Sequence, residues 1–467
     1  MCGIAGWIAN TPLGAERIRG VKKNLAHRGP DDEGHWINPK STVSHSGLVH
    51  TRLSIIDLSK VASQPMLSCS KQKVLSFNGE VYNDCELKSE LEARGYIFNS
   101  DSDTEVFLHA YEEWGVTVFE RISGMFAGAI MDLDRSKLIV FRDKFGIKPL
   151  YYLSGKQGVF FASEIQALIT LAQVTARVNA QTAYDYLALG QTDYNSHTFF
   201  KEIYSLPSAH YAEIPLDLDV GKLSVVPKRY WEMNGSRENS DSEDELSNQL
   251  RFKILDSVEK HMRSDVAIGA CLSGGIDSSA IVCSMRNINP NAEIHTFSFL
   301  PRGRPYCEER WVDHINKTVS AISHKVVFQE NGLLDDLDHL ITQQGEPFGS
   351  TSVYAQYKVF QTAKASGIKV LLDGQGADEL FAGYPSHKGA LLAGRLSNFE
   401  YLKAARLLAS GTGHSDQGRG YLVKVAGHYL LPQSLYTTMR NISGEGNRYG
   451  RVDLKALCNA GVDIGLE

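Results

Sequence analysis

The sequence predicts two unlike halves: an α+β first half of short strands with a few helices between them, and an α/β second half built on a parallel sheet. Three observations carry this reading. Residues 1 to about 212 are broken by Gly, Asn and Asp turns into short apolar runs. Residues 234–245 (NGSRENSDSEDE) are polar, acidic and free of apolar periodicity, which marks a solvated linker. Beyond the linker, continuous apolar runs lead into Gly-rich turns and helical patterns, as in strand–helix–strand units.

At 467 residues the chain exceeds one typical core and should form two or three domains. We place them at 1–212, a connector and linker at 213–245, and 246–467. A hydrophobic share of 43% and a charged share of 22% describe an ordinary globular protein. The net charge of −6 argues against a basic surface for nucleic acid or anionic membrane. Seven cysteines, at 2, 69, 85, 271, 283, 307 and 458, form no CxxC pair and no zinc spacing, which fits a reducing compartment. No basic region followed by an apolar run opens the chain, and no stretch approaches the roughly 20 apolar residues of a bilayer span. A cytoplasmic location is the expectation.

The first element is Met1-Cys2-Gly3-Ile4-Ala5-Gly6. Removal of Met1 would leave a thiol and a free α-amine on Cys2, a nucleophile beside its own base. His27-Arg28-Gly29-Pro30-Asp31 reads as a charged turn, and Arg52 precedes a strand in His50–Ile55. Buried strands are expected at Val74–Phe77, Phe126–Met131 and Lys137–Phe141, and helices at Cys85–Arg94 and Asp103–Trp114. Asn78-Gly79 alone reads as a hairpin turn pair, Ser102-Asp103 as a helix cap, and Arg52 as a surface residue. Beside a penultimate cysteine they take on other roles. The Asn78 amide and the Gly79 N–H suit an oxyanion hole, while Arg52 and Asp103 suit the carboxylate and ammonium of an amino-acid substrate.

In the second half, Ser242-x-x-Glu245 is a capping box opening a helix through Leu246–His261. Val266–Leu272 is a strand buried on both faces. Ser273-Gly274-Gly275-Ile276-Asp277-Ser278-Ser279 then leads into a helix over Ser278–Arg286 and a strand at Glu293–Leu300. Glycines and serines at a helix N-terminus suit phosphate, and Asp277 beside phosphate requires a cation, naturally Mg²⁺. A second loop, Asp373–Glu379, leaves the strand Lys369–Leu372, and Asp378 is the candidate second metal ligand. Taken alone, these loops read as a Gly/Ser turn with an N-cap and as first-turn acids favoured by the helix dipole. Residues after about 385 are helical in pattern without a motif.

The ordered series MCGIAGW, AHRGPDDEG, HTRLSIIDLS, SFNGEVYN, SDTEV, FRDKFGIKPLYY and FASEIQAL resembles the glutaminase domain of class II glutamine amidotransferases. The resemblance covers nearly all of residues 1–170. It implies the αββα sandwich of N-terminal nucleophile hydrolases, with Cys2 as nucleophile, Asn78 and Gly79 as oxyanion hole, and Arg52, Glu80 and Asp103 binding glutamine. The two Gly-rich loops resemble those of the glutamine-hydrolysing asparagine synthetase family. That likeness implies a parallel-sheet nucleotide-binding synthetase domain that adenylates a carboxylate, releases pyrophosphate and lets ammonia attack. ATP contacts are then expected at Leu272, Ser273, Gly274, Gly275, Asp277, Ser278, Ser279, Phe299, Asp373, Gly374 and Gln375, with Mg²⁺ at Asp277 and Asp378. An apolar passage for ammonia between the halves is also implied.

Two features depart from the family pattern. Gln375 stands where many members place an acidic residue tied to amide formation. The family usually continues well beyond this length, and its later basic segment has no counterpart before Glu467. Aspartate is the default acceptor. The other readings are a different carboxylate, such as a sugar acid in surface polysaccharide synthesis, or a glutaminase or binding protein with a defective synthetase half. Expected partners are glutamine and the acceptor, with no nucleic acid and no membrane, and a homodimer is compatible with the sequence.

Overall fold

The computed structural model describes residues 1–39, 44–235, 241–305, 307–328, 332–410 and 419–432, together with Leu435, Gly461 and Val462. Linker residues 236–240 and Cys458 lie outside the described residues. The strands, in chain order, begin with β1 (Gly3–Ala9), β2 (Asp32–Ile37), β3 (His45–Arg52), β4 (Met66–Leu67), β5 (Lys73–Val81) and β6 (Gly124–Asp132). Next come β7 (Lys137–Arg142), β8 (Tyr151–Gly155), β9 (Gly158–Ala162), β10 (Tyr204–Ser205), β11 (His210–Pro215) and β12 (Lys228–Arg229). The last four are β13 (Ile268–Cys271), β14 (His295–Leu300), β15 (Ile322–Val327) and β16 (Val370–Leu372).

Two antiparallel sheets, ordered β10-β8-β9-β1-β3-β2 and β12-β11-β7-β6-β5-β4, lie face to face. Strand alternation explains the four layers. Ile4 and Ile8 of β1 point inward, sharing a core with Val74, Ala127, Val140 and Ile214 of the second sheet. Ala5, Trp7 and Ala9 point the other way, against Ile18, Val21 and Leu25 of the helix Ala15–Leu25 and Leu168 and Leu171 of the helix Ile165–Ala172. On the far side, Leu75 and Phe77 of β5 pack against Leu87 and Leu91 of the helix Asp84–Ala93 and Val106, Phe107 and Ala110 of the helix Asp103–Trp114. Each of these large side chains is almost fully buried, worth about 1.5–3 kcal/mol apiece. The result is the expected αββα sandwich.

The third sheet is parallel, ordered β15-β14-β13-β16. One face packs Ala270 and Leu272 against Val258, Val282, Met285 and Val312 from flanking helices. The other packs Phe297 against Val359 and Ala363 of the helix Ser352–Ala365. A sheet covered on both faces is why β13 reads as a continuous apolar run. The capping box forms as expected: the Ser242 hydroxyl accepts from the Glu245 N–H at 3.3 Å, and the Glu245 carboxylate accepts from the Ser242 N–H at 2.9 Å. It opens the helix Glu243–His261. Three further helices, Pro385–Ser397, Tyr401–Ser410 and Arg419–Leu430, share a small core around Leu392 and Leu422. Among the described residues no helix is long and apolar enough to cross a membrane.

Candidate active site

Cys2 immediately precedes β1, and the register Gly3↔Thr51 between β1 and β3 brings it alongside Arg52 and Leu53. The Leu53 N–H points at the Cys2 Sγ at 3.4 Å. Arg28, in the turn after the first helix, donates through Nε to the Cys2 carbonyl at 2.9 Å and through Nη1 to Glu164 at 2.5 Å. The Met1 α-amine is buried, and loss of hydration lowers its pKa to about 5, with Cys2, Lys148, Arg28 and Glu80 as its charged neighbours.

Asn78 and Gly79 lie inside β5, not in a turn. Asn78 pairs with Ala127 and Gly79 with Phe126 across the β5–β6 ladder. The turn reading fails because flanking apolar residues extend the strand through the pair to Val81. Gly79 is there for close approach, since a Cβ would collide with the Met125 carbonyl on β6. Asn78 is fully buried, and neither its amide nitrogen nor its amide oxygen has a partner. Such a group costs about 1–3 kcal/mol when left unpaired, so the amide is open to a ligand or an ordered water. His50 on β3 ties this strand in place through the Phe77 carbonyl at 3.1 Å, and burial lowers its pKa to about 4.

Asp103 opens its helix with the Ser102 hydroxyl accepting from the Thr104 N–H at 3.2 Å, so the capping reading of Ser102 also holds. Asp103 itself is buried and accepts from the Val81 N–H at 2.9 Å. Burial raises its pKa to about 7 against the pull of that hydrogen bond, with Glu80 and Cys2 adding to the rise. Burial likewise raises Glu80, partly offset by Lys148. Arg52 is only 6% exposed, which corrects the surface reading. Its Nη1 donates to the Ser59 carbonyl at 2.9 Å and its Nη2 to the carbonyls of Ile56, at 3.4 Å, and of Asp57. The fork expected to meet a carboxylate is thus wrapped by its own following segment.

Sequence reasoning assigned no role to Arg28, Glu164 or Lys148, although all three stand in the quoted motifs. Lys148 is set by Asp143, whose carboxylate accepts from the N–H groups of Phe145, Ile147 and Lys148, each at 3.0 Å. Burial lowers the Lys148 pKa, and Glu80 is its foremost acidic neighbour.

The second site stands at the C-terminal ends of β13 and β16, adjacent parallel strands. Gly274 has φ +93, open to glycine at little cost. The Ser278 hydroxyl accepts from the Ser273 N–H at 3.2 Å, and the Ser273 hydroxyl accepts from the Gly275 N–H at 3.2 Å. These bonds curl the loop into the N-terminus of the helix Ile276–Ile288, where Ser279 N–H donates to the Gly275 carbonyl at 3.1 Å. Leu272 is buried beneath, and Phe299 on β14 is half-buried against Phe328. The second loop touches the first. A Cβ on Gly374 would sit 3.3 Å from the Asp277 Cβ and the Ser278 nitrogen. Asp373 lies beside Cys271, whose thiol is pushed up by burial and then by that carboxylate. Gln375 is exposed, and Gly376, at φ +91, caps the short helix Ala377–Phe381 that carries Asp378.

The two glycines leave a cradle that a Cβ would fill, lined by hydroxyls and a helix N-terminus, so these residues fit a nucleotide's phosphates. Among the described residues no cluster of three or more metal-ligating side chains occurs. Asp277 and Asp378, each in the first turn of the helix that follows its Gly-rich loop, are the residue type that suits Mg²⁺, which keeps several waters and takes phosphate oxygens as further ligands.

Residues 1–231 match the family model for a glutamine amidotransferase domain, and residues 249–437 match that for asparagine synthase. Asparagine synthetase [glutamine-hydrolyzing] 1 of Bacillus subtilis is 34% identical over 84% of this chain and 60% of its own length. A Methanocaldococcus jannaschii protein, provisionally named asparagine synthetase [glutamine-hydrolyzing] 2, is 31% identical over 83% of this chain and 76% of its own. A more distant relative, amidase chry2 of Gibberella zeae, is 27% identical over 84% of this chain and 61% of its own. The chain therefore spans about three fifths of two of these relatives and three quarters of the third. With both family models matched in this order, the chain belongs to the glutamine-hydrolysing asparagine synthetase family.

Proposed function

We propose that this protein hydrolyses glutamine at Cys2 and uses the ammonia, with ATP going to AMP and pyrophosphate, to convert aspartate to asparagine through an acyl-adenylate. The observation that carries the reading is Asn78, a buried amide with both polar atoms unpaired, beside Gly79 on the strand whose Val81 N–H holds Asp103. Once Met1 is removed, the free Cys2 α-amine lies on the same residue as the thiol and serves as the base that accepts its proton. The thiolate adds to the glutamine amide carbon, and the oxyanion meets the Asn78 amide and the Gly79 N–H. Ammonia leaves with the proton, and water cleaves the glutamyl thioester to give glutamate. Asp103 and Glu80 receive the substrate ammonium, and Arg52 its carboxylate.

In the second half, the hydroxyls of Ser273 and Ser278 and the helix N-terminus bind the nucleotide's phosphates. Mg²⁺ held by Asp277 and Asp378 would neutralise the departing pyrophosphate. Gln375, exposed on the second loop and unable to act as a base, supports a second reading in which another carboxylate is amidated. The deciding measurement is pyrophosphate release from ATP–Mg²⁺ with ammonia, with and without aspartate. Aspartate-dependent release supports asparagine synthesis. Glutamine hydrolysis without such release directs the search to other acids, by mass spectrometry of products.

A further inference from the structure

We infer that Gln64 is a positioning residue of the glutamine site. Its side-chain amide ties the strand of Asn78 and Gly79 to the helix of Asp103, and so fixes the span between the two ends of bound glutamine. The inference rests on the amidotransferase reading above, which gives those three residues their roles.

The argument starts at the edge of β5. The short strand β4 pairs with it only at Met66↔Leu75 and Leu67↔Val74. Carried further, the same register would set Pro65 against Ser76 and Gln64 against Phe77, but proline has no N–H to give and the ladder stops. Beyond that point β5 keeps β6 on one side and, among the described residues, no strand on the other. Backbone groups alternate along a strand, so the N–H groups of Asn78 and Glu80 turn to β6 while those of Phe77, Gly79 and Val81 turn to the open edge. Tyr82 keeps the phase, donating to the Ser123 carbonyl just before β6 at 2.7 Å. On the open edge, the Phe77 N–H donates to the Gln64 Oε1 at 2.7 Å and the Val81 N–H to the Asp103 carboxylate at 2.9 Å. The Gly79 N–H stands between them, roughly 7 Å from each at about 3.3 Å per residue.

Gln64 does more than continue the ladder. It is only 6% exposed, and its amide is used at both ends. With Oε1 committed to an N–H, Nε2 is left to donate, and it does so to the buried Thr104 hydroxyl at 3.3 Å. Thr104 follows Asp103 in the first turn of its helix. The start of that helix is therefore fastened to β5 on both sides of Gly79, to Val81 through Asp103 and to Phe77 through Thr104 and Gln64. A single fastening would leave the helix free to pivot about the Val81 bond, whereas two set the distance from Asp103 to the Gly79 N–H. Glutamine has to bring its amide to one and its ammonium to the other at once. A misplacement of about 1 Å can cost on the order of 10²-fold in rate.

The test compares the hydrolysis of glutamine with that of glutaramate, which is glutamine without its α-ammonium group. Wild type, Gln64→Leu, Thr104→Val, Thr104→Ser and the double variant Gln64→Leu/Thr104→Val are assayed below their thermal midpoints. Gln64→Leu and Thr104→Val should each lower kcat/KM for glutamine on the order of tenfold or more, chiefly through kcat, and leave glutaramate little changed. Thr104→Ser keeps the hydroxyl and should keep the wild-type preference. The double variant should lose no more than the worse single, because one bridge can be broken only once. Equal losses on both compounds, or a Thr104→Ser no better than Thr104→Val, would show a packing role and overturn the inference. A wild type that hydrolyses neither compound overturns the amidotransferase reading instead. The thermal midpoints then judge the bridge, which requires the two substitutions to be non-additive in stability.

Discussion

The Arg28 guanidinium and the Glu164 carboxylate meet at 2.5 Å beside Cys2, and the same guanidinium holds the Cys2 carbonyl at 2.9 Å. One planar fork thus joins the first residues of the chain to the segment after β9. Lysine offers a point charge and cannot serve both partners in that geometry. Arg28→Lys should lower kcat for glutamine hydrolysis on the order of tenfold or more, with KM little changed. Steady-state kinetics with glutamine and with ammonia decide it. Equal loss with both donors would show general damage instead of misplacement of Cys2.

Cys2→Ala should abolish glutamine-dependent product and spare the ammonia-dependent reaction. Amide formation assayed with each nitrogen source tests this. If both activities fall together, the proposed division of labour between the halves is wrong.

Asn78 pits activity against stability. Removing one oxyanion donor typically costs about 10²–10³ in kcat. Removing an unpaired buried amide also relieves a penalty of about 1–3 kcal/mol. Asn78→Ala should therefore lose most glutamine hydrolysis while its thermal midpoint holds or rises. A lowered midpoint would mean that the amide is paired in the free protein.

Gly79→Ala should behave in the opposite way. Its methyl would press into the Met125 carbonyl across the β5–β6 ladder, with no flexible side chain to give way. Overpacking of this kind costs about 1–3 kcal/mol or more, so the variant should melt earlier and lose activity through its fold. An unchanged midpoint in thermal denaturation would count against so close an approach.

Asp103 predicts a pH signature. Its carboxyl titrates near 7 in the folded protein, against about 3.9 when unfolded, so between those values the native state binds the extra proton. The stability tied to that proton is present below about pH 4 and is lost as pH rises through about 7. A ligand ammonium beside Asp103 removes the penalty. Glutamine should then raise the thermal midpoint of Cys2→Ala more at pH 8 than at pH 5, and adding Asp103→Asn should flatten the difference. An undiminished difference in the double variant would locate the titrating group elsewhere.

The elements with strong local signals were legible in the sequence. The helix Asp103–Trp114 occupies its predicted span, and the Ser242–Glu245 box forms both of its hydrogen bonds. Asn78-Gly79 misleads when taken alone, because turn propensity is local while β6 alongside is not. Arg52 misleads differently. Its residue type suits a carboxylate, but no pattern shows that the following loop folds back to occupy it. Asp31–Lys369 and Asp57–Asp265 join residues far apart in the chain, and no periodicity encodes such pairs. The two glycine loops were readable as turns between a strand and a helix, whereas the approach of Gly374 to Asp277 and Ser278 came only with the folded sheet.

The burial of the terminal amine has a practical side. A purification tag fused ahead of Met1 would turn an amine that feels the charges of Lys148, Arg28 and Glu80 into an amide with no basic lone pair. Preparations carrying such a tag should be inert toward glutamine yet well folded, and would report a dead enzyme where only its processing had been blocked. Affinity handles belong at the other end, and intact mass of the purified protein, reading the loss of one methionine, is the proper release test for every batch.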